Sequence, residues 1–431
     1  MKFDYKIKIN TFSPFKIIIV LSMWLKLATD IFNGFNNLIY ITDAMVFIVL
    51  VLVISKFKVS NHELIIPFAL VLALFIWDMA YCIFKNNSLL LLLWGIRNHY
   101  RFFVIFLGGI CLLTTFDVKS IFRIVEKMLY INFVIVIVEV IMGYRQDLLS
   151  GTFGITIGTN NGANLFLCIA YISLLIDFLY AETSKMKFIL CCLGMFLWAA
   201  LAELKYFILQ SVIFSIVAIL VTKQGKIRKI ILVFLGVTLG IIAIGFMVSL
   251  NPYYSDFFSF NSIKNYAQNI GLGAGGYTRT NAIPVINLVF FRDNVWKKLF
   301  GIGLGQGEQS PFSFLNSSFY NEFKEYNYNS LFYGSVYVER GLLGIIWYCA
   351  FFLVSAMKSF KLKKSAYKND RVLLDKSILI VVCCFTEMIY DDAIRRTPCG
   401  FLVYLLLAVP FIYTKQQKII NMKGTIKNAG R

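Results

Sequence analysis

Ser88-Leu89-Leu90-Leu91-Leu92-Leu93-Trp94-Gly95-Ile96-Arg97-Asn98-His99-Tyr100-Arg101-Phe102-Phe103-Val104-Ile105-Phe106-Leu107-Gly108-Gly109-Ile110-Cys111-Leu112 is an apolar run with two arginines four residues apart near its middle. At about 1.5 Å per residue such a run crosses about 30 Å of hydrocarbon, and a helix satisfies its own backbone there whereas an open strand does not. Similar runs recur on either side, at 15–30, 41–55, 64–84, 88–116, 121–143, 162–180, 188–203, 206–222, 229–250, 331–357, 374–390 and 399–414. The predicted fold class is therefore all-α: a polytopic membrane protein with about 12 transmembrane helices and one large external loop. Composition agrees, since 59% of the 431 residues are hydrophobic, 15% are charged and the mean hydropathy is +0.73. No small-residue cleavage site follows the first run, so Phe15 to Ala28 reads as a retained helix.

A net charge of +19 would point a soluble protein towards nucleic acid. Here the lysines and arginines gather in alternate short loops, at 56–58, 119–127, 185–187, 223–229 and 358–371, and this is the positive-inside pattern. It puts those loops and both termini in the cytoplasm, with the bilayer, and no nucleic acid, as partner. The chain then divides into a first bundle of about nine helices (1–250), a large periplasmic loop (251–330), three last helices (331–414) and a basic cytoplasmic tail (415–431). In the loop, Gly271 to Gly276 and Gly301 to Gly307 read as glycine-rich turns, and the second lacks the strand-turn-helix setting of a nucleotide loop. The nine cysteines lie in or beside apolar runs, and His62 and His99 are the two histidines. No Cys or His stands at ligand spacing, so no zinc or iron site is expected, while a magnesium site of carboxylates alone stays open. No internal repeat is visible, which weighs against a secondary transporter.

A charge near the middle of a membrane helix costs on the order of 3 kcal/mol on insertion scales. Asp78, Arg97, Arg101, Glu139, Glu203, Lys205, Glu339, Arg340 and Glu387 all fall towards the external half of their spans, with Asp177 the inner exception, and so imply an outward-opening polar cavity. Arg97 and Arg101 share a helix face and read as a phosphate clamp; the alternative is pairing with Asp78 or Glu139, or an interfacial position. Glu203 and Lys205 sit in a tight hairpin, either paired together or with the lysine facing an anionic substrate. Glu339 and Arg340, being adjacent, point in different directions. The loop Asp391-Asp392-Ala393-Ile394-Arg395-Arg396 either adds four more charges at the same face or is simply solvated. Tyr320, Tyr326, Tyr328 and Tyr333 form an interfacial belt or a sugar-stacking surface.

At the end of the loop the sequence runs Tyr328-Asn329-Ser330-Leu331-Phe332-Tyr333, then Glu339-Arg340-Gly341-Leu342-Leu343-Gly344. This resembles the O-antigen polymerase and ligase superfamily, in which a polar pair precedes a helix carrying a Glu-x-Gly-x-x-Gly element. Gly158-Thr159-Asn160-Asn161-Gly162, Lys205 where members often have Ser-Arg-Gly, and Leu299-Phe300-Gly301-Ile302-Gly303 match in order. The resemblance covers most of the chain through topology. No histidine stands near Tyr328, so the histidine base of the ligase pattern is absent and the repeat-unit polymerase is preferred.

That resemblance implies oligosaccharides on undecaprenyl diphosphate as substrates, with no cofactor and no metal, and a chain-length regulator among the partners. A hydroxyl attacks the anomeric carbon and lipid diphosphate leaves. Arg97, Arg101, Lys205 and Arg340 would hold the diphosphate, and Glu339, then Glu203 and Tyr328, would take the acceptor proton. Glu387 is a further base candidate, and Asn161, Asn329 and Tyr333 would contact sugar. The alternatives are an O-antigen ligase and a flippase or transporter of the same lipid-linked sugar.

Overall fold

A computed structural model describes residues 13–32, 38, 40–56, 62–156, 158–223, 225–250 and 277–429. The described residues are helical, with turns and no strand. The long helices are α1 (Ser13–Ile31), α2 (Tyr40–Lys56), α3 (His62–Lys85), α4 (Leu89–Leu112), α5 (Thr115–Ile141), α6 (Asn160–Tyr180), α7 (Lys185–Leu201), α8 (Lys205–Val221), α9 (Lys226–Leu250), α10 (Phe332–Lys363), α11 (Lys368–Tyr390), α12 (Cys399–Leu407) and α13 (Val409–Ala429). Their starts follow local chemistry. Thr114 and Asp117 form a reciprocal capping box ahead of α5, and the Ser184 hydroxyl accepts from the Lys187 N–H to open α7.

Apolar on every side, α6 buries almost all of its residues and packs against α5, α7, α8 and α11. Around it one core joins the bundle, from Phe15 in α1 to Ile412 in α13. Among the described residues, four helices are long and apolar enough to cross a membrane, namely Ile65–Lys85 of α3, α4, α6 and α10, and the bent pair α12–α13 makes a fifth. Of the others, α2, α7 and α8 have 17 residues each, and α5 and α11 carry several charges along their length.

Two single helices of the sequence reading are broken. The 399–414 run bends by 43° between α12 and α13, because Pro410 supplies no N–H and its ring crowds the carbonyl four residues back. The helix expected to run through Glu339 and Arg340 is interrupted at Gly341, whose φ of 61° and ψ of −156° stop the first half of α10 after Arg340 and restart it at a new angle.

Residues 277–331 fold on an aromatic core of their own. Tyr277, Phe290, Phe291, Phe323 and Tyr328 bury together with Tyr337 and Val338 of α10, and the Phe290 and Phe323 rings lie 4.5 Å apart. Tyr328 is thus a core residue and no part of a surface belt. Residues 251–276, including the Gly271–Gly276 turn, lie outside the described residues.

Candidate functional site: an arginine-lined cavity behind a glycine strip

The break in α10 leaves the carbonyls of Val338 and Glu339 without helical partners, and the chain from Gly301 to Gly307 supplies them. Ile302 N–H donates to the Val338 carbonyl at 2.9 Å and Gly303 N–H to that of Glu339 at 2.9 Å. The strip runs backbone against backbone. A Cβ on Gly301 would come within 2.3 Å of the Glu339 carbonyl, and one on Gly305 within 1.9 Å of the Leu91 carbonyl, and both glycines hold positive φ (74° and 81°). Tyr81 donates its hydroxyl to the Gly301 carbonyl and Asn87 its amide to that of Ile302. The segment read as a turn is therefore a strip wedged between α4 and the broken α10.

Glu339 closes this assembly from inside. Its Oε1 accepts from Gly305 N–H at 2.8 Å and from Gly307 N–H at 3.4 Å. The Tyr328 hydroxyl and the Asn329 amide both donate to the Gly307 carbonyl, at 2.8 and 2.9 Å. Burial, followed by the nearby Glu339 charge, pushes the Tyr328 phenol well above its ordinary value.

The next residue, Glu308, meets His99. The His99 Nε2 lies 3.0 Å from Glu308 Oε1 and 3.0 Å from Glu339 Oε2. On the other side of the ring, Arg340 Nη1 is 3.2 Å from Nδ1. A guanidinium has only donors, so Nδ1 accepts and the network assigns the ring proton to Nε2. Arg340 is fixed in turn by a two-pronged pair with Asp78 (Nε–Oδ1 3.0 Å, Nη2–Oδ2 2.8 Å), and the Tyr100 hydroxyl also donates to Asp78. A histidine does stand at this site, contrary to the sequence reading, because α4 delivers it from the other half of the chain. The donor atoms of His99, Glu308 and Glu339 lie within 4.8 Å of one another, yet Nε2 faces the carboxylates with a proton and not with the lone pair a metal ion would need.

Glu308 lines a cavity of about 480 Å³ whose wall also carries Arg97, Arg101, Asn98, Trp94, Asn329, Asp392, Arg395 and Arg396. Arg97 and Arg101 do point to one place, and there they share a single carboxylate, Asp43 of α2: Arg97 Nε is 2.9 Å from Oδ2 and Arg101 Nη1 3.3 Å from Oδ1. Neither partner considered from sequence serves, since Asp78 holds Arg340 and Glu139 accepts from Gly151 N–H. Arg97 also lies over the Trp94 and Tyr40 rings, and Arg101 Nε has no hydrogen-bond partner among the described residues.

The loop 391–396 is largely buried. Arg395 donates to Glu308 Oε1 and, at 2.8 Å, to the Ser335 hydroxyl, and its Nε is 3.3 Å from Asp392 Oδ1. Arg396 is half exposed and reaches Asp392 at 3.6 Å. Burial raises the Asp392 carboxyl above the usual range. Burial acts on Glu308 in the same sense, but Arg395 and the His99 contact overcome it and hold that carboxyl well below the usual range.

Other residues singled out from sequence lie elsewhere. Glu203 and Lys205 face each other at 3.9 Å in the α7–α8 hairpin, near Asp147, and do not line the cavity. The Tyr333 hydroxyl donates to the Arg279 carbonyl. Glu387 is buried among α6, α8 and α11. Asn161 is in the first turn of α6, where Gly158, Thr159 and Gly162 line a smaller cavity of about 120 Å³ that shares Arg396 and Thr397 with the larger one and adds Lys26. Asp43, His99 and Glu308 are the site residues that no local motif announced. Comparison of the chain with protein-family models, curated proteins and solved structures finds no match.

Proposed function

We propose that this chain is a polytopic membrane protein of about 12 spans with the 251–330 segment outside, and that it is a metal-independent glycosyltransferase. It moves oligosaccharide from one undecaprenyl diphosphate carrier to another at the outer face of the bacterial inner membrane, for O-antigen or capsule synthesis. One observation carries the reading: four guanidiniums, Arg97, Arg101, Arg395 and Arg396, converge on a single cavity, where the carboxylates facing them among the described residues are three, Glu308 and Asp392 in the wall and Asp43 beside Arg97 and Arg101, so that positive charge is in excess. Guanidinium forks match phosphate oxygens, and a diphosphate leaving group is where negative charge gathers as the glycosidic carbon–oxygen bond breaks.

In the reaction the acceptor hydroxyl oxygen forms a bond to the anomeric carbon, and the bridging oxygen departs with its electron pair on the lipid diphosphate. The hydroxyl proton needs a carboxylate within reach. Asp392 suits this task better than Glu339, because it lines the cavity and burial raises its proton affinity. Glu339 and Tyr328 then act as positioning residues that hold the strip bearing Glu308, and Arg340 positions His99. The smaller cavity beside Asn161 shares Arg396 with the larger one and extends the polar wall that a sugar on the diphosphate would meet.

His99 is the observation favouring the ligase alternative, since it puts a histidine beside the strip. Its ring is buried and does not line the cavity, so the polymerase reading stands first. Incubation of the purified protein with lipid-linked repeat units tests both. A ladder of lengthened lipid-linked chains is expected; transfer solely to a non-prenyl lipid acceptor would make it a ligase, and no transfer to either acceptor would refute the reading.

A further inference from the structure

Behind the arginine loop lies a cluster that the transfer reaction does not use. Where α6, α8 and α11 meet, Asn164, Gln210, Glu387 and Asp391 are all essentially inaccessible. Every amide hydrogen in the cluster is committed. Asn164 Nδ2 donates to Gln210 Oε1 (3.0 Å) and Glu387 Oε1 (2.9 Å), and Gln210 Nε2 to Glu387 Oε1 (2.7 Å) and Thr386 Oγ1 (3.0 Å). The Cys168 thiol donates to Gln210 Oε1 at 3.1 Å, and the Thr386 hydroxyl to the Cys383 carbonyl at 3.0 Å.

Three acceptor oxygens are left over, Asn164 Oδ1, Glu387 Oε2 and Asp391 Oδ2, none of which has a hydrogen-bond partner among the described residues. The Glu387 and Asp391 carboxyls, four residues apart, are near enough to act on each other. Two carboxylates contain no hydrogen to share. Adjacent buried anions of this kind persist only if a positive charge joins them. Of the groups facing the pair, Cys168 of α6, Tyr206 of α8, Cys383 of α11 and Cys399 of α12 carry no positive charge; Arg396, on the same loop, acts on Asp391 from the cavity side, where it is turned to Asp392, and does not join the two carboxylates.

We propose that Glu387, Asp391 and Asn164 form a buried site for one monovalent cation, a proton or a sodium ion, set directly behind the phosphate-facing loop. Its place gives it a consequence. Asp391 Oδ1 accepts from Ala393 N–H at 2.7 Å and the Asp391 carbonyl accepts from Phe332 N–H at 3.0 Å, so this residue ties the loop bearing Asp392, Arg395 and Arg396 to the start of α10. An occupied site holds that loop; an empty one leaves two adjacent carboxylates that push it apart. The inference does not depend on the transferase reading.

The test uses the purified full chain in detergent, in sodium chloride and in choline chloride. Infrared difference spectra look for a protonated carboxyl band, and radiolabelled sodium for saturable binding. Glu387→Gln and Asp391→Asn serve as variants. A carboxyl band that Glu387→Gln removes identifies the cation as a proton. Binding of one sodium per chain, abolished in Glu387→Gln and displaced by acid, identifies it as sodium. If Glu387→Gln does not fold, Asp391→Asn carries the same comparison. Wild-type protein with neither a variant-sensitive carboxyl band nor saturable sodium binding would overturn the proposal.

Discussion

Replacing Gly305 by alanine tests the glycine strip at its tightest point. The added methyl meets the Leu91 carbonyl oxygen at 1.9 Å and the Leu91 carbonyl carbon at 2.7 Å, both backbone atoms of α4 that no rotamer change can move. The residue also keeps a φ of 81°, which costs a non-glycine roughly 1–2 kcal/mol. Overpacking of a close contact adds about 1–3 kcal/mol, so destabilisation of roughly 2–5 kcal/mol is expected. At about 2 °C per kcal/mol for a large chain, thermal unfolding in detergent should begin roughly 4–10 °C lower. If the strip instead shifts outward to relieve the clash, Gly305 N–H leaves Glu339, Glu308 is displaced from Arg395, and transferase activity falls while the melting temperature holds. Gly236→Ala in α9, where a Cβ meets open space, is the control and should be neutral or slightly stabilising. A Gly305→Ala protein with unchanged melting and unchanged activity would refute the account of the strip.

Asp78→Asn leaves the Arg340 guanidinium buried without its counter-charge and should lower stability by about 3–5 kcal/mol, visible as lost membrane abundance; the double variant Asp78→Leu, Arg340→Met should recover much of it, and no recovery would mean that the pair is needed for more than charge balance. Arg101→Lys keeps the charge but loses the forked donors, so affinity for prenyl diphosphate should fall by about tenfold or more with normal abundance; unchanged affinity in both Arg101→Lys and Arg101→Ala would remove Arg101 from the site. Asp392→Asn should reduce transfer about 100-fold or more while thermal stability is retained, and wild-type turnover would exclude it as the base. Burial raises Asp391 from 3.8 to about 6, so the stability tied to its protonated form is complete below the unfolded value and is lost as pH rises through about 6, a change on the order of 3 kcal/mol. In sodium-free buffer the melting temperature should fall across that window, and an Asp391→Asn variant with the same slope would assign the titration to another group.

The long helices were legible because each rests on about twenty residues of hydropathy, a signal that survives an error of several residues. The breaks at Gly341 and Ala408 were not, since one or two residues leave the average unchanged. The common face of Arg97 and Arg101 followed from helical spacing, but the carboxylate they share is 58 residues before Arg101, in another helix, and no local pattern connects the two. His99 was dismissed for lack of neighbours of ligand type, and Glu308 and Glu339 reach it only through the strip and the helix break. Local grounds leave the charges of Asp391 to Arg396 open between solvent and the site. Their burial depends on Glu308 and Ser335, which accept from Arg395, and the sequence separates those partners by 87 and 60 residues.

The glycine strip also divides the chain by its tolerance of change. At Gly301 and Gly305 the strip abuts main chain, so a new side chain there has nowhere to go, and an inserted residue would move Glu308 off its partners. From Gln309 onward the chain meets its surroundings through side chains, and Pro311, Phe312 and Phe314 stand open at the surface. Variation can therefore accumulate at these exposed positions without disturbing the register of Glu308 against Arg395 and His99, so that a fixed rail carries a replaceable tip.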